Sequence, residues 1–257
     1  MGKIICIANQ KGGVGKTTTA VNLAACLAEA GKKTLLCDLD PQGNATSGLG
    51  VRAGSKTVYE AVLGACTLES VLEKTKQDRL LVAPADIRLA GAELELAEME
   101  RREYRVRGAM EKARGAFDFI IVDCPPSLGL LTVNALCAAQ SVLIPIQCEY
   151  YALEGVTALM NTVQRVKKSL NPGLEIEGIL LTMLDGRTNL SIQVVDEVKK
   201  HFRRQVFAAT IPRNVRLGEA PSHGLPIDLY DPRSTGAESY RALAREVIAK
   251  NRCKAEE

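Results

Sequence analysis

A lysine beside a threonine after a run of glycines, and three aspartates further along, are the residue types in this chain that could do chemistry together. The run Lys11-Gly12-Gly13-Val14-Gly15-Lys16-Thr17-Thr18 follows the apolar stretch Ile4-Ile5-Cys6-Ile7-Ala8 and precedes apolar residues at Ala20, Leu23, Ala24 and Leu27. That order reads strand, glycine-rich loop, helix. Small residues let successive backbone N–H groups turn inward, and a helix N-terminus adds partial positive charge, so the loop is a cradle for phosphate. Lys16 is placed to reach the β- and γ-phosphates of a nucleotide, and the Thr17 hydroxyl to ligate Mg²⁺. The spacing departs from Gly-x-x-x-x-Gly-Lys-Thr, because Gln10 stands where the first glycine belongs and the glycines fall at 12, 13 and 15.

The carboxylates sit where strands should deliver them. Lys33-Thr34-Leu35-Leu36-Cys37 reads as a buried strand leading into Asp38-Leu39-Asp40-Pro41-Gln42, and Phe117 to Val122 as a second one ending in Asp123. In open α/β sheets, ligand groups gather at the carboxyl ends of strands. Asp123 is then expected to hold Mg²⁺ through its water shell, in the manner of a Walker B acid. Asp40 is the candidate to position and deprotonate an attacking water, and Asp38 to support the metal's water shell; the sequence allows these two roles to be exchanged. Together these residues describe hydrolysis of a nucleoside triphosphate, which needs charge stabilisation on the transferring phosphoryl group and a placed water.

Strand-like runs alternate with helical periodicity along the rest of the chain. Ser141 to Gln147 precedes a helix over Glu154 to Leu170, Glu175 to Leu184 precedes one over Asn189 to Phe202, and Gln205 to Ile211 is the last strand. Tyr240, Leu243, Ala244, Val247 and Ile248 mark one face of a final helix. The pattern predicts an α/β fold: a mostly parallel, twisted sheet with helices on both faces. Between the second strand and Phe117, the reading is a polar loop over 42–56, short helices near 58–63 and 68–74, a strand at 80–84, and a charged, solvated helical face over 87–114. With no internal repeat and no linker, 1–257 reads as a single domain.

Bulk properties bound the partners. The chain has 257 residues and a net charge of only +3 from 33 basic and 30 acidic residues, so attraction to nucleic acid must come from local clustering. Its 8 cysteines fall mostly in apolar runs and form no C-x-x-C pair, which reads as core packing in a reducing cytoplasm and not as a metal or disulfide framework. With 2 histidines and no H-E-x-x-H, hydrolytic zinc chemistry has little to stand on. No apolar stretch has the length of a bilayer-crossing helix, and no membrane partner is expected.

With these residues in hand, the chain resembles the ParA/Soj family of chromosome-partitioning ATPases, of the deviant Walker A P-loop group. The matching stretches are Lys11 to Thr18, Asp38 to Thr46, Ile121 to Ser127, Leu184 to Asn189 and Ile211 to Ser222, and they span nearly the whole chain. The resemblance implies an ATP-dependent sandwich homodimer in which Lys11 reaches the opposite subunit's phosphates and joins Lys16 and Asp40 as a catalytic residue. It implies nucleotide contacts from Lys11, Gly12, Gly13, Val14, Gly15, Lys16, Thr17 and Thr18, with Pro212 and Asn214 beside the adenine. It further implies double-stranded DNA bound without sequence preference through Arg187 and Arg216, a ParB-type centromere-binding partner that stimulates hydrolysis, and a nucleoid-associated place in the cytoplasm. Lys199, Lys200, Arg203 and Arg204 either extend the DNA surface or form a solvated helix end that suits the dipole. Some plasmid relatives carry an N-terminal helix-turn-helix; this chain starts within a few residues of its first strand, so sequence-specific repression is not expected. Two rival readings are weighed. A MinD-like membrane-associated positioning ATPase would need a C-terminal amphipathic helix with bulky apolar residues, where this chain has Ala249 to Glu257. An iron–sulfur carrier of the nitrogenase-iron-protein type would need cysteines converging at a dimer axis, where Cys124 and Cys148 look like turn and core.

Overall fold

A computed structural model describes residues 2–149 and 152–253. Its centre is an eight-stranded sheet in the order β3-β4-β2-β5-β1-β6-β7-β8, formed by β1 (Lys3–Ile7), β2 (Thr34–Asp38), β3 (Glu73–Lys74), β4 (Leu80–Ala83), β5 (Phe119–Asp123), β6 (Ser141–Gln147), β7 (Glu175–Leu184) and β8 (Val206–Pro212). All pairings are parallel except that of the edge strand β3 on β4. The sheet is covered on both faces, as parallel sheets must be.

Side-chain alternation assigns each strand residue to a face. Ile4, Cys6, Leu35, Cys37, Ile120, Val122, Val142 and Ile144 enter one core, and Ile5, Ile7, Leu36, Phe119, Ile121 and Leu143 the other. The first core is closed by α4 (Leu89–Ala97), α5 (Arg105–Ala113), α6 (Leu130–Ala138), α7 (Ala152–Ser169) and α8 (Asn189–Phe202), together with α3 (Val58–Leu63). The second is closed by α1 (Lys16–Glu29) and α11 (Thr235–Cys253), with the short helices α2 (Asn44–Gly48), α9 (Val215–Glu219) and α10 (Ile227–Tyr230). α1 is buried along most of its length because Ala20, Leu23, Ala24 and Leu27 lie between the sheet and α11.

Three sequence expectations are corrected. The segment 42–56 is not all loop, since α2 forms once Gly43 takes φ 62° and the Asp38 carboxylate accepts the Thr46 N–H. The helix expected near 68–74 is a single 3₁₀ turn over Leu68–Val71 followed by β3, which extends the sheet edge. The charged stretch 87–114 is not merely solvated: α4 buries Leu89, Ala92 and Leu96, and α5 buries Val106, Met110 and Ala113, beneath their charged outer faces.

The contact between β7 and β8 depends on one missing side chain. A Cβ on Gly178 would lie 2.4 Å from Cε2 of Phe207, whose ring is buried in the second core. Gly178→Ala is therefore expected to lower stability by about 1–3 kcal/mol through overpacking. Adding Phe207→Leu to Gly178→Ala should recover much of that loss, read as a positive coupling in urea unfolding of the two single variants and the double variant.

Candidate functional site: a phosphate loop above two carboxylates

The loop after β1 is held from both sides before any ligand is considered. Asn9 donates from Nδ2 to the Pro145 carbonyl at 2.8 Å and accepts the Lys11 N–H at 3.0 Å, which ties the loop's start to β6. Thr182 on β7 donates its hydroxyl to the Val14 carbonyl at 2.9 Å, which fixes the loop's crest. Gly13 and Gly15 take φ 75° and 84°, a left-handed backbone that glycine adopts without cost, and Gly15 caps α1. The strand order completes the crevice, because β1 lies between β5 and β6, where successive connections depart to opposite sides.

Beneath the loop, the two strand-end carboxylates are neighbours. Asp38 and Asp123 are partners in the β2–β5 register, and period-two alternation sends both toward the face covered by α1, whose N-terminus carries Lys16 and Thr17. Both are fully buried. Asp38 is saturated: Oδ1 accepts the Asp40 N–H at 3.1 Å, and Oδ2 accepts the Thr46 N–H at 2.9 Å and the Thr46 hydroxyl at 2.7 Å. Asp123 is the opposite case, since neither carboxylate oxygen has a hydrogen-bond partner among the described residues.

The electrostatics follow from that geometry. Burial, reinforced by the negative charge of Asp38, raises the Asp123 carboxyl well above the ordinary carboxylate range, against the weaker pull of the nearby Thr17 hydroxyl and Lys16. Thr17 is close enough to favour the charged form but forms no full hydrogen bond with it. Burial also raises Asp38, to about 6, despite the hydrogen bonds from Thr46 and Asp40. Lys16 is 7 % exposed and its ammonium is lowered, chiefly by burial, with Asp123, Cys124 and Asp40 acting the other way. Its Nζ donates to the Lys11 carbonyl at 3.0 Å. Asp40 accepts the Gln42 N–H on Oδ1 at 3.0 Å, and its Oδ2 has no hydrogen-bond partner among the described residues.

Around this centre the structure places the remaining sequence candidates. Lys11 extends to the surface, with its Nζ 3.6 Å from Glu149 Oε2, while Glu149 is also held by Gln147. Pro212 and Asn214 line a cavity of about 240 Å³ whose other walls include Gly15, Thr18, Met183 and Tyr240, so that the end of β8 stands beside the start of α1. Met183 has φ 51°, at an irregularity in the β7–β8 pairing that turns its backbone into this cavity. Arg187 and Arg216 follow the ends of β7 and β8, where Leu184 and Pro212 are in register. Arg187 is 88 % exposed and forked on Asp185, and Arg216 is bound to Glu219 at 2.8 Å. Lys199, Lys200 and Arg203 are exposed, and Lys200 pairs with Glu197 at 3.8 Å; the Arg204 side chain lies outside the described set.

Some functional neighbours were not found in the sequence. Thr46 closes the run Asp38 to Thr46, and a hydroxyl so soon after a strand-end aspartate is a local signal for it. Asn9, Thr182 and Glu149 act across 136 or more residues in sequence, and nothing local marks them. Cys6, Cys26, Cys37, Cys124, Cys137 and Cys148 are buried and Cys66 is partly exposed; the Cys253 side chain is outside the described set. No helix among the described residues is long and apolar enough to cross a membrane.

Comparison with known proteins now decides the family. A family model described as an AAA domain matches residues 2–176. Over 251 residues the chain is 61% identical to the sporulation initiation inhibitor protein Soj of Bacillus subtilis, covering 97% of this chain and 99% of that one. The chain belongs to the ParA/Soj family of chromosome-partitioning ATPases. It is also 56% identical to the chromosome partitioning protein ParA of Myxococcus xanthus, covering 98% of this chain and 89% of the relative. Among solved structures, one titled as a cobyrinic acid a,c-diamide synthase from Mycobacterium smegmatis with bound ADP and magnesium superposes with a TM-score of 0.84 at 39% identity, over 95% of this chain and 93% of the other. The fold is thus that of the P-loop NTPases, as the resemblance implied, on the mostly parallel sheet that the alternating pattern predicts.

The carboxylate pair sets a pH dependence. Folded-state pKa values raised above the unfolded ones mean that the stability contributed by Asp38 and Asp123 is complete below about pH 4 and is lost as pH rises through their folded values, near 6 for Asp38 and elevated for Asp123. Asp123→Asn is therefore expected to stabilise the nucleotide-free protein at pH 8 by about 1–3 kcal/mol and to flatten the fall between pH 4 and pH 8. Thermal melts of both forms across that range check it.

Proposed function

We propose that the chain is an ATP-driven partitioning switch, in which ATP and Mg²⁺ complete a dimer that holds DNA and hydrolysis releases it. The observation that carries the nucleotide half is the Asp123 carboxylate, buried without a hydrogen-bond partner among the described residues beneath a glycine-rich loop and a buried lysine. A carboxylate so placed fits a cation's hydrated shell, and a loop of inward N–H groups at a helix N-terminus fits the phosphates beside it. ATP is the substrate that supplies them.

In this reading Lys11, Gly12, Gly13, Val14, Gly15, Lys16, Thr17 and Thr18 hold the phosphates, with Lys16 leaving the Lys11 carbonyl for the β- and γ-oxygens. Thr17 would hold Mg²⁺ directly, with Asp38 and Asp123 acting through its waters; bound there, the ion neutralises charge on the phosphoryl oxygens. Asp40 orients the attacking water through its open Oδ2 and takes its proton. Pro212 and Asn214 flank the adenine, as the cavity between β8 and α1 supports. The unit is the whole of 1–257.

Lys11 is the residue that joins two copies. Its ion pair with Glu149 is exposed on both sides, and such pairs are worth about 0–1 kcal/mol, so exchanging it for a partner's phosphates costs little. The dimer then presents Arg187 and Arg216 to DNA phosphates without base contacts, which is a sequence-independent mode of binding. A ParB-type partner stimulates hydrolysis, and the family membership supports that reading.

Three expectations follow for DNA retention, compared at the same salt, with salt then varied for the last of them. Wild type should be retained with ATP and released with ADP, and equal retention in both would overturn the switch. Asp40→Ala should still bind ATP yet hydrolyse it about 10²–10³ times more slowly, remaining on DNA. Arg216→Ala should weaken DNA binding and lower the salt slope by about 1, with ATP-dependent dimerisation kept in sedimentation.

A further inference from the structure

A second cavity, about 720 Å³ against about 240 Å³ beside the phosphate loop, lies on the α5 side of the molecule. Its floor is the outward side of α5 at Gly108 and Ala109, and no heavy atom lies within 4 Å of where a Gly108 Cβ would stand. One wall is the end of α3 and the turn after it, with Ala61, Val62 and Leu68; Tyr104 and Leu170 close the other side. The Tyr104 hydroxyl donates to the Leu170 carbonyl at 3.0 Å, which fixes that ring in the wall. The volume is in the range of pockets that take ligands.

The charges lining this cleft are mostly cations. Arg101, Arg107 and Lys112 are exposed and form no ion pair with an acid among the described residues. Arg105 spends its guanidinium on the Val62 and Leu63 carbonyls at 3.3 and 2.8 Å, which caps α3 and leaves its charge uncancelled by any acid. Glu69 and Glu111 are also in the lining, so four cations face two acids. By contrast, Arg187 and Arg216 each hold an acid of their own. Unpaired cations over low-dielectric walls leave a standing positive potential inside the concavity.

The arrangement also limits the ligand's shape. The cations are carried along α5 and the turn before it, and positions 105 to 112 alone cover about 10 Å of helix axis at 1.5 Å per residue. An extended peptide, advancing about 3.3 Å per residue with alternate side chains on one side, places successive carboxylates about 7 Å apart and turns its other side chains to the apolar wall. A DNA duplex does not enter a recessed cleft that contains two glutamates.

We propose that this cleft docks an acidic, extended segment of a partner protein, with Arg107 and Lys112 taking carboxylates and the half-buried Tyr104 and Leu170 taking the intervening side chains. The site is separate from the triphosphate crevice, so a partner bound there adds to the partitioning activity without displacing nucleotide. The probe is a fluorescein-labelled peptide of alternating glutamate and leucine, titrated into the ATP-loaded protein, with the corresponding lysine–leucine peptide as control. Cys66 lines the cleft and is partly exposed, so in a Cys253→Ser background its alkylation reports occupancy independently. Saturable binding is expected, with Cys66 alkylation slowed about tenfold when the peptide stands at about ten times its Kd. Arg107→Glu with Lys112→Glu should weaken binding at least about tenfold, and Gly108→Trp should abolish it by filling the floor, both with basal ATPase unchanged. Arg107→Gln with Lys112→Gln, the milder pair, should lie between. No saturable binding up to millimolar peptide, undiminished affinity in the charge-reversed protein, or equal protection of Cys66 by a short DNA duplex would each overturn the proposal.

Discussion

Two carboxylates at the ends of adjacent parallel strands, both out of water and one without a hydrogen-bond donor among the described residues, are the constraint on which the site depends. Burying a charge without a partner costs several kcal/mol, and setting a second carboxylate beside it adds to that cost. The chain spends its available donors on Asp38, through Thr46 and the Asp40 N–H, and leaves Asp123 with none among the described residues. A fold arranged for stability alone would distribute those donors otherwise. The unmet demand is for positive charge at one point, and the point lies under the N-terminus of α1.

Everything that surrounds the pair keeps that point in place. The β2–β5 register makes the two acids neighbours, alternation sends them to the α1 face, and β6 and β7 clamp the loop above them through Asn9 and Thr182. The loop is therefore rigid at its start and crest, and its cations differ in freedom. Lys16 is buried and points across the mouth of the loop, whereas Lys11 is at the surface in a pair that solvent weakens. One lysine belongs to its own site by packing; the other is available to a second molecule. That asymmetry is the physical content of having two lysines in the loop.

The alternation of apolar runs and helical periodicity carried the fold, because a sheet buried on both faces writes long hydrophobic strands into the sequence. The phosphate loop and the three aspartates were legible for the same reason: each lies immediately after such a strand. What local pattern could not reveal were contacts between distant residues. Thr182 reaching Val14, Asn9 reaching Pro145 and Glu149 reaching Lys11 each join segments far apart in the chain. The segments 42–56 and 68–74 differ from their local pattern because α2 is fixed by a tertiary hydrogen bond from the Thr46 N–H to Asp38, and β3 forms as a partner to β4. The charged outer faces of α4 and α5 hid the narrow stripes they bury, and also hid the cleft above Gly108.

The central claim is that the buried carboxylate pair at the ends of β2 and β5 is the seat of a cation that arrives with nucleotide. Isothermal titration of preformed Mg–ADP into the nucleotide-free protein, repeated in buffers of different ionisation enthalpy, counts the protons exchanged on binding. Because a bound cation lowers both carboxyl pKa values from their raised positions, the account predicts net proton release that grows as pH is lowered from 8 toward 6. Binding heats that give no release, or net proton uptake, at every pH in that range would contradict it.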